Sequence, residues 1–440
     1  MSSDSVMRLA DYVTLVRGTT YKGALVGKPG PALLGLGAIQ PGGGFRDSDY
    51  STYGGECPSK LMLGPGDLFA SLKGATKDGK MIGSVARVPS LVPAGRLTQD
   101  TVKLNFIDSD TAAQQYIYWV LRTPQYREYC SGRAMGSAVV SLSREDFLSY
   151  PIPSLTFYRQ QIVEALEGIE ERVRGLHETS ATLEAIAQAV FKSWFVDFAP
   201  VRAKAERRQL EGMDATTAAL FPDSFEESEL GLVPKGWSIG SVGDLASQKK
   251  GSVNPLTSPG VLYEHYSLPA FDSGQAPVFE LGQEIKSNKT PLPEEAVLLS
   301  KLNPHIPRVW LPVTHGANAI CSTEFLAYSP RDGASKELIY CLFGSSEFQQ
   351  QLCQLVTGTS NSHQRVKPDQ VLAVKVPIAG KLALKAFTEA VRPLFERIYA
   401  NRLQAQILTK LRDTLLPRLI SGQLRLSGAQ ALLNDKDIAQ

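Results

Sequence analysis

The chain says the same thing twice, and that repetition limits its fold more than any other feature. In residues 157–194, FYRQQIVEALEGIEERVRGLHETSATLEAIAQAVFKSW, apolar side chains recur in alternating steps of four and three. Ile162, Leu166, Ile169, Val173, Leu176, Leu183, Ala187, Val190 and Trp194 form a heptad seam, with Ser180 in its one polar slot. At an offset of 225, Phe387, Val391, Leu394, Ile398, Leu408, Leu415 and Leu419 stand in the same frame, with Asn401, Ala405 and Arg412 as weaker slots. Two long helices in one phase predict a pseudo-two-fold molecule. An axis lying across them makes them antiparallel. A helix of about 36 residues is roughly 54 Å long, the dimension of a spacer. The plainer reading of one such seam is a bundle helix; its duplication favours a helix pair.

The segments before the helices also match. YIYWVLRTPQYREYCSG and GSAVVSLSREDFLSYPIP, within 116–153, correspond to ELIYCLFGSSEFQQQLCQ and GTSNSHQRVKPDQVLAVKVPI, within 337–378. Tyr118 pairs with Tyr340, Gly136 with Gly358 and Pro153 with Pro377, at offsets of 222, 222 and 224. Each copy predicts a short helix, a Gly-Ser/Thr loop, a second short helix and a strand. Pro151, Pro153 and Pro377 stop the strand ahead of the long helix. Residues 8–110 and 237–335 are strand-like and rich in Gly and Pro, with runs such as DLFASL and AVLLSKL between turn signals. The expected fold is α+β: two tandem α+β domains separated by two long antiparallel coiled-coil helices, as a pseudo-two-fold internal repeat. The expected boundaries are 1–155 for the first head, 156–194 for the first spacer helix and 195–235 for a connector broken by Pro200, Pro222 and Pro234. The second head then covers 236–380, the second helix 381–421 and a tail 422–440.

Composition agrees with this plan. A chain of 440 residues is too long for one ordinary core, and 43% hydrophobic with 20% charged residues describes a globular protein. No apolar run reaches the ~18 residues a membrane span needs. MSSDSVMRLADY has no basic region followed by an apolar one, which predicts no secretory leader. Cys57, Cys130, Cys321, Cys341 and Cys353 form no CxxC pair, so free thiols in a reducing cytoplasm are expected. A net charge of +2 neither demands nor excludes nucleic acid; a DNA reader this close to neutral needs a local basic patch or basic partners.

The chemistry of an enzyme is missing. An amino-methyltransferase loop has two prolines and an aromatic side chain to hold a flipped base. NPLT at Asn254 and NPHI at Asn303 lack both the second proline and the aromatic. Gly35, Gly37, Gly42, Gly43 and Gly44 do not complete GxGxxG and read as turns, and no GxxxxGK[ST] occurs. His265, His305, His315 and His363 stand in the second head without ligand spacing. No catalytic residue, metal or cofactor is assigned to the chain.

What remains is recognition. Two reading heads at the ends of a rod suit duplex DNA, which presents the same groove again about every 10 bp. Diverged heads on matched arms suit an asymmetric, split site. Bases are read by Arg, Lys, Asn, Gln, Ser, Thr and His on loops, and phosphates are held by Lys and Arg. TGTSNSHQRVKPDQ at 357–370 is dense in such groups and offers Asn361, Ser362, His363, Arg365 and Lys367. Its first-head counterpart, GRAMGSAVVSLSRED, offers Arg133, Ser137, Ser141 and Arg144. Lys73, Lys77 and Lys80 follow a strand, and Lys301, Asn303, His305 and Arg308 hold the comparable place in the second head. The plainer reading of these stretches is a solvated polar loop.

Three junctions resemble a known family. KSWFVDFAPVRAKAE at 192–206, SELGLVPKGW at 228–237 and LTKLRDTLLPRLISGQLRL at 408–426 are similar to the central and C-terminal regions of the specificity (S) subunits of Type I restriction–modification systems, the HsdS family. The resemblance implies two target-recognition domains joined by antiparallel helices, each reading one half of a bipartite DNA site. It implies two modification subunits docked on the helices and restriction subunits outside them. S-adenosylmethionine, ATP and Mg2+ would serve those partners in adenine methylation and ATP-dependent restriction. The chain departs from the family's Pro-Pro…Glu-Gln signature, having PSLTFYRQQIV and PIAGKLALKAF, which leaves the helix starts open. The competing readings are a methyltransferase or nuclease with a fused recognition region, against which the missing catalytic loops stand, and a coiled-coil scaffold, which has no need of diverged heads.

Overall fold

The structure is a computed structural model that describes residues 7–46, 50–74, 81–136, 140–312, 316–331, 333–356 and 364–420. The chain divides into two compact units, 1–174 with 405–440 and 175–404. Each unit holds part of both long helices.

The first unit carries a four-stranded antiparallel sheet ordered Val13–Arg17, Thr101–Phe106, Leu68–Ser71, Val85–Arg87. A three-stranded sheet beside it pairs Ala32–Leu34 parallel, and Met62–Leu63 antiparallel, to Gly95–Leu97. Helices α1 (Thr111–Val120), α2 (Pro124–Arg133) and α3 (Arg144–Leu148) follow. Each starts where a short polar side chain takes up a free amide: Asp110 accepts from Ala112, Thr123 from Tyr126 ahead of Pro124, and Ser143 from Asp146. Pro151–Ile152 pairs with Met7–Arg8 and closes the head. Tyr116, Trp119, Tyr126 and Phe147 are fully buried in its core, each burial stabilising by about 1.5–3 kcal/mol.

The second unit repeats this topology with one strand added. Its four-stranded antiparallel sheet is ordered Ala246–Gln248, Phe325–Pro330, Val297–Ser300, Val309–Trp310. Its second sheet again has one parallel pair, Leu262–Tyr266 with Ala319–Ser322, and one antiparallel pair, Lys289–Pro291 with Ala319–Ser322; Val278–Leu281 is an added edge. Ser238–Ser241 with Lys375–Ile378 matches the closing pair of the first head.

Between α4 (Phe157–Phe195) and this head lie α5 (Ala199–Ala205), α6 (Ala215–Ala219) and the hairpin Phe225–Ser228 with Gly231–Pro234. Within the head are α7 (Val242–Leu245), α8 (Leu268–Asp272), α9 (Lys336–Gly344), α10 (Ser346–Gln354) and α11 (Pro368–Leu372), and α12 runs from Lys381 to Ile420. The altered signature before α4 still yields a cap, because Thr156 Oγ1 accepts from the Arg159 amide at 3.3 Å.

Both units contain an antiparallel stretch of the long helices. In the first, Ile162 and Leu166 share a core with Leu415 and Leu416. In the second, the Phe191, Trp194 and Phe195 rings lie 5.9, 6.0 and 5.1 Å from the Phe387 ring, while Glu184, earlier in α4, pairs with Arg402, later in α12. Val391, Ile398, Ala405 and Leu415 of the second seam are buried, and Leu394 and Leu408 are half-buried. On α4, Ile169, Val173, Leu183 and Val190 are half-buried, whereas Phe191 and Phe195, outside the heptad reading, are buried. The reason is a second neighbour. The last turns of α4 meet the second head as well as α12, and a helix packed on two sides buries more than one narrow stripe. Asn401 and Ser180 are buried polar slots; the Ser180 hydroxyl donates back to the Leu176 carbonyl at 2.8 Å.

Candidate nucleic-acid interface

In the first head, Leu68–Ser71 ends in a side-chain turn. Ser71 Oγ donates to the Lys73 carbonyl at 2.6 Å and accepts from the Lys73 amide at 3.3 Å. The turn lays the backbone of Lys73 beside Ser141, and the pairing is locked by Gly74 N to Val140 O at 2.7 Å and Leu142 N to Leu72 O at 2.9 Å. Met135 and Ser141 exchange backbone bonds of 3.0 and 2.9 Å and close the loop between α2 and α3. Lys73, Arg133, Ser141 and Arg144 therefore belong to one cluster of loops. Lys77, Lys80 and Ser137 lie outside the described residues.

The second head builds the same device from other side chains. Ser300 Oγ donates to the Leu302 carbonyl at 3.0 Å and accepts from the Leu302 amide at 3.2 Å. Leu302 pairs with Arg365, flanked by Asn303 N to Gln364 O at 2.8 Å and Val366 N to Lys301 O at 3.0 Å. Asn303 turns the chain at φ 50°, a left-handed conformation that Asn tolerates better than most residues. Lys301, Asn303, Arg365 and Lys367 are thus brought together; Asn361, Ser362 and His363 lie outside the described residues.

Several of these cations are already engaged. Lys73 Nζ is 2.8 Å from Asp100, and Arg365 meets both carboxylate oxygens of Glu324 at 3.0 and 3.1 Å. Arg133 stacks 3.9 Å over Tyr129 and is 3.8 Å from Asp146. Arg308 is a bidentate partner of Asp272 at 2.7 and 2.9 Å with only 13% of its side chain exposed, so it belongs to the wall of the head rather than to its loop surface. Arg144 and Lys367 are exposed and, among the described residues, have no ion-pair partner. Sequence reading missed the carboxylates, and no local signal could have found them, since Asp100, Glu324 and Asp272 lie 27, 41 and 36 positions from their cations. What the loops can offer a nucleic acid is a set of amides, hydroxyls and cations on a rigid edge, which suits hydrogen bonding to bases and phosphates.

His265 plays a different part. Its Nδ1 lies 2.6 Å from Glu280, and burial, partly countered by that bond, keeps its pKa below the usual histidine value. No group of three or more His, Cys, Asp or Glu among the described residues can hold a metal ion.

Each head is fastened to the long helices through a tyrosine. In the first unit, Tyr118 donates to Glu170 of α4 at 3.2 Å, Arg122 reaches the same carboxylate at 2.8 Å, and Arg412 of α12 lies 3.8 Å from it. Glu167, one turn earlier, takes Trp119 Nε1 at 2.7 Å and Arg87 at 2.8 Å. Arg87 also stacks over the Tyr118 ring at 4.3 Å. Burial raises the Tyr118 hydroxyl to about 12. In the second unit, Tyr340 donates to Glu184 of α4, which pairs with Arg402 of α12 at 3.3 Å. Tyr118 and Tyr340 are the two tyrosines the repeat aligns.

No protein-family profile matches the chain. It is 24% identical over 334 residues to the Type I restriction enzyme MjaIX specificity subunit of Methanocaldococcus jannaschii, covering 73% of this chain and 71% of that protein. It is 24% identical over 313 residues to the HindI specificity subunit of Haemophilus influenzae, covering 60% and 67%. Its fold is similar to the crystal structure of a Type I restriction–modification S subunit from M. genitalium, with TM-score 0.52 at 13% identity over 94% of this chain and 95% of that one.

Proposed function

We propose that the chain is a Type I restriction–modification specificity subunit and that its two heads each read one half of a bipartite, asymmetric DNA site. It is a sequence-recognition subunit, and catalysis in such systems lies in other chains. One observation carries the finer reading. Both heads pair the turn after a core strand with the loop before a short helix, through the same serine device, yet present different side chains there: Lys73 against Ser141 in one, Leu302 against Arg365 in the other. A shared scaffold with different chemistry is what two different half-sites require.

In this reading residues 1–155 and 236–380 are the target-recognition domains. Lys73, Arg133, Ser141 and Arg144, with Lys77, Lys80 and Ser137, serve one half-site. Lys301, Asn303, Arg365 and Lys367, with Asn361, Ser362 and His363, serve the other. Arg308 braces the second head through Asp272. The seams of residues 156–194 and 381–421, including Ile162, Leu166, Ile169, Val173, Leu183 and Val190 on one side and Val391, Leu394, Ile398, Leu408 and Leu415 on the other, hold the helices that connect the heads. Two modification subunits, and restriction subunits beyond them, would bring S-adenosylmethionine, ATP and Mg2+ to the DNA in the cytoplasm. No helix among the described residues is long and apolar enough to cross a membrane.

The test is to transplant residues 236–380 from a related subunit, express the chimera with its partner subunits, and sequence the methylome. A motif with one half exchanged and one retained is expected. A change in both halves refutes independent reading.

A further inference from the structure

The two heads are not fastened alike, and the difference leaves a cavity of about 530 Å3 in the second unit, between α9 and α12. The repeat explains its origin. Ser71 and Ser300 begin the same turn, so Leu68 corresponds to Val297, and Arg87, which lies opposite Leu68 in the sheet, corresponds to Leu311, the next residue in register after the Leu298–Trp310 pair. At the offset of 222 that aligns the tyrosines, Gly344 stands where the first head has Arg122. The first head thus fills the space beside its tyrosine with two guanidinium groups, 4.3 and 4.9 Å from the Tyr118 ring. The second head has leucine in place of Arg87, and Leu311 and Tyr340 line the opening; at Gly344 the Gln188 side chain takes up the space instead.

The lining has not become neutral. Four carboxylates, Glu184, Glu295, Glu337 and Glu396, face three cations, Lys336, Arg392 and Arg402. Arg402 is taken by Glu184 and Lys336 by Glu295. Glu337 is only 5% exposed, and among the described residues nothing forms a hydrogen bond or ion pair with its carboxylate. Its oxygens keep contact with the cavity space, where a cation or donor can meet them. Tyr340, Phe395 and Tyr399 add aromatic faces to the same cavity, and such faces attract a planar cation. The lining carries one more negative than positive charge, which calls for a monocation.

We propose that this cavity binds a guanidinium group, which lies against Tyr340 and meets Glu337, in the place that Arg87 of the chain itself occupies in the first head. The group can arrive on a small molecule or on an arginine of a partner subunit; the recognising chemistry is the same.

The experiment is a ligand-observed NMR titration of the full chain with methylguanidinium, using methylammonium as control. Saturable binding of methylguanidinium, stronger than that of methylammonium, is expected. Glu337→Gln should weaken it about tenfold or more, the loss of one charge-assisted contact. Leu311→Arg, which restores the first head's side chain, should abolish binding while leaving the melting temperature at or above that of the parent. Repeating the titration on the complex with its partner subunits separates the sources: exclusion of methylguanidinium means a partner arginine fills the cavity, and undiminished binding means a small ligand does. Absence of saturable binding to the chain alone, or binding that both substitutions leave intact, overturns the proposal.

Discussion

Glu170→Ala should loosen the first unit measurably, and the size of the effect follows from what the carboxylate touches. Glu170 is 27% exposed at its side chain; Arg122, the more deeply buried of its two arginine partners in the first head, is 6% exposed. Truncation leaves the Arg122 guanidinium with the Tyr118 hydroxyl at 2.7 Å and the rings of Tyr118 and Trp119, but without the carboxylate it is bonded to. Arg87 keeps Glu167 and loses its 2.6 Å contact to Glu170. Breaking a fully buried pair costs about 3–5 kcal/mol, and an exposed pair about 0–1. A pair with one member buried and the other about a quarter exposed falls between, at about 2–3 kcal/mol, or a fall of roughly 4–12 °C in melting temperature for a unit of this size. Calorimetry of the full chain reads that shift in one transition while the other serves as an internal reference. Arg122→Ala alone and combined with Glu170→Ala completes a cycle whose coupling should be about 1–2 kcal/mol. A single-variant loss below about 0.5 kcal/mol, or strict additivity in the cycle, would refute the view that this ion cluster fastens the head.

The same carboxyl predicts a pH dependence. Burial pushes Glu170 up, but Arg122 and Arg87 outweigh it and hold the carboxyl below its ordinary value of 4.5. Its contribution is therefore complete above that value and is lost as pH falls through the folded-state pKa, so the difference in melting temperature between parent and Glu170→Ala should shrink below pH 4.5 and not change between pH 6 and 8. Thiol labelling should separate the cysteines: Cys353 is exposed and should react in the native chain, whereas burial pushes Cys321 up to about 12 and Cys341 higher still, so both should stay unlabelled until the chain unfolds, as mass spectrometry would reveal. Arg144→Ala and Lys367→Ala should each lower the salt slope of DNA binding by about 1 if they hold phosphates, with little change in the methylated motif; a changed motif at constant slope would assign them to bases instead.

The repeat was legible because periodicity survives divergence. Heptad spacing needs only apolar side chains at fixed intervals, so the seams of α4 and α12 stand out although Asn401 and Arg412 interrupt one of them. Tyr118 and Tyr340 aligned for the same reason, and both prove to fasten a head. The loop pairing was half legible: sequence singled out the segments around Lys73, Ser141, Lys301 and Arg365, but the serine turns that bring them together pair residues about 63–70 positions apart, which only the sheet register sets. The burial of Phe191 and Phe195 escaped the heptad frame because that frame assumes one neighbour where two are present. The ion partners Asp100, Glu324 and Asp272 escaped altogether, since charge pairing across a fold leaves no spacing to read.

Both fastenings draw their carboxylate from α4, Glu170 in one unit and Glu184 in the other, and this has a consequence for how such chains diversify. The first head's tyrosine and its carboxylate are encoded close together, 52 positions apart, whereas those of the second are 156 positions apart. A recombination event that exchanges the second head brings in a new residue at position 340 but leaves position 184 with the recipient. Lineages that shuffle second heads must therefore keep Glu184 and the incoming tyrosine compatible across the breakpoint, whereas an exchange of the first head can carry its fastening with it if the crossover falls beyond Glu170. Of the two heads, the first is the one free to change its anchor.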